Sequence, residues 1–335
     1  MILTVIYLGN KLPRYVLKNL EYLLSTFEKH EIYFISDSES SIKKAKKIGV
    51  KTWLAPNPDE QWKEVRAQLN HPMSFRQGFW FKTLARIFVL NSFMQLHKNE
   101  QCLQIEADVF LFEDFPLSKF LTLDADIAFP MESNHMGIAS LLYLKDQDSS
   151  QSLASFALNA IQLNPQITDM SLLGQIAHSK KLKFSPLPTL PKTLSESLNQ
   201  PEAIELVCED TFEDTGVFDG ITIGQYLLGV DPRNSRGKLI LHRRQHSHAI
   251  NPDKLSYTWD GDEHLYLNTP NGKSQIYNLH NHAKDLRLFR KISRNKLLKS
   301  RISSSTNGEK SEYKVGTFTS VAMKSVGRRA KRAFK

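Results

Sequence analysis

The chain has 335 residues and is 41% hydrophobic, 10% aromatic and 24% charged, an ordinary globular composition that excludes a disordered, collagen-like or coiled-coil protein. Its net charge of +9 is uneven: residues 291–335 hold 13 Lys and Arg against 2 Asp and Glu, while residues 1–290 hold 31 against 33, which argues against nucleic acid as a partner of the body. Cys102 and Cys208 are too few for a disulfide framework and point to a reducing compartment, and no apolar run approaches the roughly 20 residues that span a bilayer.

Residues 2–8 read as a buried strand ending at Gly9-Asn10, with no basic region that would mark a signal peptide. Pro13 suits the first turn of a helix, and Val16, Leu17, Leu20, Leu23, Leu24 and Phe27 follow at helical spacing. Residues 32–35 are predicted as a second strand, 41–48 as a short basic helix closed by Gly49, and 50–54 as a third strand. This alternation predicts an α/β fold: a parallel sheet with right-handed crossovers, the nucleotide-binding half of a domain whose ligands bind beyond the carboxyl ends of the strands. Neither G-x-G-x-x-G nor a P-loop lysine follows the first strand, which disfavours the dinucleotide binders and P-loop NTPases those signatures mark.

A helix over 79–97 is apolar around most of its circumference, yet carries Lys82 and Arg86 one turn apart. Residues 102–112 (C-L-Q-I-E-A-D-V-F-L-F) read as one strand, with further strands at 126–131 and 137–144 and helices over 152–161 and 169–178. Residues 183–201 contain four prolines and are expected to be loop, and 216–228 to be helix, stopped by Gly229 and Asp231-Pro232-Arg233. Short strands near Leu239, Tyr266 and 275–279 close the body, and there is no internal repeat.

Glu106 and Asp108 lie two apart in this apolar run, so on a strand their side chains leave the same face. Two buried carboxylates need partners. A divalent cation suits hard oxygen ligands, and the alternative is a solvated acid beside one paired to a Lys or Arg. Lys82 and Arg86 either face an anionic ligand, pair with these acids, or snorkel to solvent.

The chain resembles the GT-A class of nucleotide-sugar glycosyltransferases, particularly bacterial enzymes that build capsular and lipopolysaccharide sugars. The resemblance is carried, over residues 1–290, by the β-α-β-α-β start, F-R-Q-G-F-W-F-K-T-L-A-R, I-E-A-D-V in place of a D-x-D motif, F-D-G-I-T-I-G-Q-Y-L-L-G-V-D-P-R and N-L-H-N-H-A-K. It implies a GT-A-like, Rossmann-like, mostly parallel sheet flanked by helices, with residues 1–132 as the donor half and 133–290 as the acceptor half. By the same resemblance Asp108 would bind Mn2+ or Mg2+ and Glu106 the ribose or the metal shell. His280 or His282 would complete the metal sphere, and Lys284 would contact the donor diphosphate beside Lys82, Arg86 and Arg76. An inverting reaction needs a carboxylate base. Asp169, Glu213, Asp214 and Asp219 are the candidates, and Asp219 is also a candidate contact to acceptor or donor sugar.

The implied reaction moves a sugar from a nucleotide-sugar donor to a hydroxyl of a glycan or lipid-linked sugar acceptor. A sugar-nucleotide nucleotidyltransferase is the alternative enzyme, although its glycine-rich start is missing after Leu8, and a basic-tailed membrane or RNA adaptor is the non-enzymatic one. The histidine-rich stretch 242–248 lacks a standard zinc spacing and reads as a basic loop. Residues 291–335 are expected to be a flexible basic tail that meets an anionic membrane surface, placing the protein in the cytoplasm or on the inner face of the cytoplasmic membrane.

Overall fold

A computed structural model describes residues 1–197, 212, 216–243, 250–260, 264–306 and 312–314. The chain opens with β1 (Ile2–Ile6), α1 (Arg14–Thr26), β2 (Glu31–Ser36), α2 (Glu39–Lys46) and β3 (Lys51–Leu54), as the alternation predicts. Two short helices, α3 (Pro58–Gln61) and α4 (Lys63–Gln68), lead to the long α5 (Phe79–Met94). Then follow β4 (Cys102–Ile105), β5 (Val109–Leu111), α6 (Leu117–Leu121), β6 (Ile127–Ser133), β7 (Met136–Gly137), β8 (Leu141–Leu144), α7 (Gln147–Leu163), α8 (Asp169–His178), β9 (Phe184–Leu187) and α9 (Lys192–Ser197).

The central sheet runs β3-β2-β1-β4-β8-β6-β7, with β9 on β6; β8 and β7 run against the other strands, so the sheet is mostly parallel. All five β1 residues are buried because both sheet faces are covered. Leu3 and Val5 pack with Val16, Leu20 and Leu23 of α1 and Phe120 of α6, while Ile2 and Ile6 belong to the core shared with α5, α7 and α8. This helix–sheet–helix sandwich is the GT-A-like architecture that the resemblance implies. The chain adds β2 and β3 on one side of β1 and then crosses to place β4 on the other, pairing Ile2 with Cys102 and Val5 with Ile105. The order reverses between β1 and β4, the kind of switch point at whose carboxyl ends open α/β sheets form their ligand crevice.

The second half supplies α10 (Thr222–Leu228), β10 (Lys238–Ile240) and a three-stranded meander of β11 (Tyr257–Trp259), β12 (Leu265–Thr269) and β13 (Gly272–Ile276). The meander feeds β14 (Asn278–His280), which pairs antiparallel with β5 and sets His280 opposite Val109. Residues some 170 apart are thereby brought to the mouth of the crevice.

Several expectations are corrected. The run 102–112 is not one strand: it breaks at residues 106–108, where Glu106 and Asp108 form the turn between β4 and β5. The proline-rich stretch holds β9 and α9; Pro186 is tolerated because β9 pairs only with β6, leaving an edge that needs no donor. Residues 216–221 are not helical, since Val217 bridges to Ile276 and only Thr222–Leu228 is helix.

The basic stretch begins within the body, as α11 (Lys291–Thr306), with Leu297 and Leu298 buried. Arg294, 1% exposed, sets its guanidinium 5.0 Å from the Phe110 ring. Beyond α11 only β15 (Glu312–Lys314), paired with β10, is described. The rest of the expected tail and residues 244–248 of the histidine-rich stretch lie outside the described residues, whereas His242 is buried with Nε2 3.1 Å from the Ser304 hydroxyl. No helix among the described residues is long and apolar enough to cross a membrane.

Candidate active site

The acidic turn is fastened from three sides. Glu106 N–H donates to the Ser140 carbonyl at 2.9 Å, and Val109 N–H to the Glu106 carbonyl at 2.9 Å. From α1, the buried Asn19 amide donates to the carbonyls of Ala107 (3.2 Å) and Val109 (2.9 Å). Across the ribbon, Asn281 N–H donates to the Asp108 carbonyl at 2.8 Å. Such bonds satisfy backbone groups that a broken strand would otherwise bury unpaired.

The side chains meet in the crevice. Arg86 bridges two acids, pairing with Glu106 and reaching Asp169 at 3.2 Å. Burial would push the Glu106 carboxyl up, but Arg86, His280 and Lys284 outweigh it and hold it below its ordinary range. Asp169 is raised, its burial only partly offset by Arg86. His280 Nδ1 lies 2.6 Å from the Gly220 carbonyl, which can only accept, so the bond assigns the proton to Nδ1 and leaves Nε2 facing the acids. Nε2 is 3.3 Å from Glu106 and 3.6 Å from Asp108. The ring of His282 lies 4.0 Å from that of His280, brought there by a tight turn in which His282 N–H donates to the His280 carbonyl at 2.9 Å. Lys284 pairs with Asp108 and lies 5.2 Å above the Tyr15 ring. Burial lowers the Lys284 ammonium to about 7.

Asp108, His280 and His282 each offer a ligand atom, all within 4.8 Å of one another. One carboxylate and two imidazoles can hold a divalent ion: the oxygen suits a hard ion such as Mn2+ and the imidazoles a borderline one such as Zn2+, and the Nδ1 bond to Gly220 is the outer contact that orients a ligating imidazole. Glu106, shared with Arg86, flanks this set.

Asp219 lies behind the site, 1% exposed. Its carboxylate accepts the N–H groups of Ile223 (2.9 Å), Gly224 (2.7 Å) and His280 (2.8 Å), so it caps α10 and pins β14 to it. Burial pushes it up to about 6 against these bonds. Gly224 permits this seam: a Cβ there would stand 2.4 Å from the His280 carbonyl oxygen. Glu132, 3% exposed, receives the Thr222 hydroxyl at 2.7 Å and is pushed up to about 8 by burial.

The crevice mouth gathers further charges. Gly9 N–H donates to Asp37 at 2.8 Å, and Lys82 Nζ lies 3.8 Å from where a Gly9 Cβ would be. Arg76 turns away from the acids to bond Asn234 and lies 3.5 Å from Asp231, which also receives the Arg233 fork. The fold therefore joins Glu106, Asp108, His280, His282, Lys284, Arg86 and Asp169 in one cluster, with Lys82 and Arg76 at its rim and Asp219 behind it. Glu213 and Asp214 lie outside the described residues. Sequence reasoning missed Asp37, Glu132, Asp231 and Arg233. Asp231-Pro232-Arg233 read as a helix stop and as the end of a motif that carries the resemblance, with no role for its side chains, although Asp and Arg two apart in a turn can form this fork.

No protein-family model matches the chain, and no curated protein does. Similar solved structures include the galactosyltransferase LgtC in complex with donor and acceptor sugar analogues, 12% identical with a TM-score of 0.41 over 56% of this chain and 73% of that one. The PaToxG glycosyltransferase is 12% identical, with a TM-score of 0.36 over 53% and 69%. A cytidylyltransferase from Leptospira borgpetersenii is 11% identical, with a TM-score of 0.35 over 56% and 75%.

Proposed function

We propose that the protein is a metal-assisted glycosyltransferase, moving a sugar from a nucleotide-sugar donor to a hydroxyl of a glycan or lipid-linked sugar in cell-surface polysaccharide synthesis. One observation carries the reading: Asp108, His280 and His282 converge within 4.8 Å at the sheet's switch point, with the half-buried Lys284 paired to Asp108 beside them. A bound Mn2+ or Mg2+ would act there as a Lewis acid and clamp on the donor diphosphate. Lys284, freed from Asp108, reaches the negative charge that grows on the departing nucleoside diphosphate. Lys82 stands where the first strand ends and neutralises the same group from the other wall. Arg86 holds Glu106 in place from below. Asp169 is bonded to Arg86 and Asp219 to three N–H groups, so we assign neither as the base and retain Asp214 as its candidate.

The test is a thermal-shift panel of UDP, GDP and their sugar conjugates, with and without manganese. Stabilisation that needs both nucleotide and ion, and disappears in Asp108→Ala, supports the reading; no stabilisation by any pair rejects it. In turnover, Asp108→Ala should cost at least about 10²–10³. Pyrophosphate release from a nucleoside triphosphate and a sugar phosphate would replace the proposal with nucleotidyl transfer.

A further inference from the structure

Beside the cluster lies an aromatic surface that the chemistry above leaves unused. Among the large hydrophobic side chains exposed in the described residues there is one aromatic, Phe75, at 41% exposure, with Met73 near it at 37%. Phe75 lies parallel to Trp80, ring centroids 6.0 Å apart and planes 13° apart, and meets Phe79 edge-on. His71 packs on Trp80 at 5.8 Å. Arg76 joins this surface to the crevice: its guanidinium lies 5.3 Å from the Phe75 ring and 5.7 Å from Phe79 while it reaches Asp231. The backbone is bent to achieve this. Arg76 and Gln77 hold φ of 49° and 58°, left-handed values that cost non-glycine residues, and they precede Gly78 at 77°.

Phe75 and Met73 are exposed together at the rim of a charged cluster, where an apolar ring beside polar groups suits a ligand that carries both characters. A hexopyranose is such a ligand. The C–H hydrogens on one face of the sugar ring carry partial positive charge and meet the negative face of an aromatic ring, while the hydroxyls around the edge find hydrogen-bonding groups. Arg76, Asn234 and the exposed Arg233 supply those groups within the same patch, with the buried Asp231 holding the two guanidinium groups from behind. We propose that Phe75, backed by Trp80, is the stacking plate of an acceptor subsite that takes a hexopyranose unit next to the donor crevice; this rests on the glycosyl-transfer reading above. Continuity with the crevice through Arg76 favours a sugar over a lipid surface or a second copy of the chain.

Saturation-transfer NMR on the full chain tests it, with the methyl glycosides of galactose, glucose and N-acetylglucosamine as probes and sorbitol, which has no ring, as control. At least one glycoside should receive saturation on the hydrogens of one ring face, and sorbitol none. Phe75→Ala should weaken that binding by about threefold to tenfold, the worth of one aromatic contact, and Phe75→Tyr should retain it, both with unchanged melting temperature. No saturation of any glycoside by the wild type, or equal saturation by Phe75→Ala, overturns the subsite. So does binding to phosphatidylglycerol vesicles that Phe75→Ala abolishes without any glycoside signal. Nucleoside diphosphate stabilisation with manganese is read in parallel: its loss together with intact glycoside binding would reject the transferase reading and leave the sugar plate standing.

Discussion

Among the described residues Arg86 is the one cation bonded to both Glu106 and Asp169, and all three side chains are largely withdrawn from water. Removing it leaves two like charges buried and facing each other. Arg86→Ala should therefore cost about 3–5 kcal/mol in urea denaturation, and a loss under about 1 kcal/mol would mean that the acids find other partners. Arg86→Lys should restore only part of it, because an ammonium does not reproduce the planar fork that reaches two carboxylates. Glu132 offers a pH-dependent check. Its folded pKa of about 8 lies above the ordinary 4.5, so between those values the native state holds more protons than the unfolded chain and stability falls as pH rises. Glu132→Gln removes that slope. In metal-free protein the variant should melt with the wild type near pH 4.5 and above it near pH 8; parallel profiles would show that Glu132 ionises normally.

The seam between α10 and β14 has no room for a methyl group. A Cβ on Gly224 would lie 2.4 Å from the His280 carbonyl oxygen and 2.5 Å from the Asp219 carboxylate, both held by the capping network. Gly224→Ala should lower stability by about 1–3 kcal/mol and, by shifting His280, weaken manganese uptake followed by EPR; unaltered uptake would mean that the strain is absorbed away from the imidazole. Legibility in the sequence differs among the elements. β1 to β3 and their helices were readable because their apolar residues follow strand and helix periods cleanly. The acidic pair was readable as two carboxylates in need of partners, yet its turn was hidden, because β4 and β5 are equally apolar and the break is imposed by Asn19 and Asn281 from distant segments. The convergence of residues 106–108 with 280–284 depends on β-pairing that no local pattern encodes. The helix α11 was missed because its buried face is two leucines and the side chains of Arg294 and Arg301, a pattern that in sequence resembles a solvated basic run.

At the scale of the whole chain, α11 divides the basic region in two. Residues 291–306 are part of the body, whereas residues 307–335 hold eight Lys and Arg against two Asp and Glu. Ending the chain after Thr306 removes β15 and its pairing with β10, and should lower the melting temperature by no more than about 2 °C, the shift that about 1 kcal/mol produces in a chain of this length. Ending it after Arg290 should lower it steeply by uncovering Leu297 and Leu298's neighbours. If the last 29 residues meet an anionic membrane, the first truncation also abolishes pelleting with phosphatidylglycerol vesicles at low salt, and undiminished pelleting would reject that role. The pairing of β5 with β14 has a consequence for biosynthesis. A ribosome that has delivered only the first two-thirds of the polypeptide has made the acids without their imidazoles. On the proposed reading, ion capture would wait until β14 has been made and paired with β5, and would report on that tertiary contact.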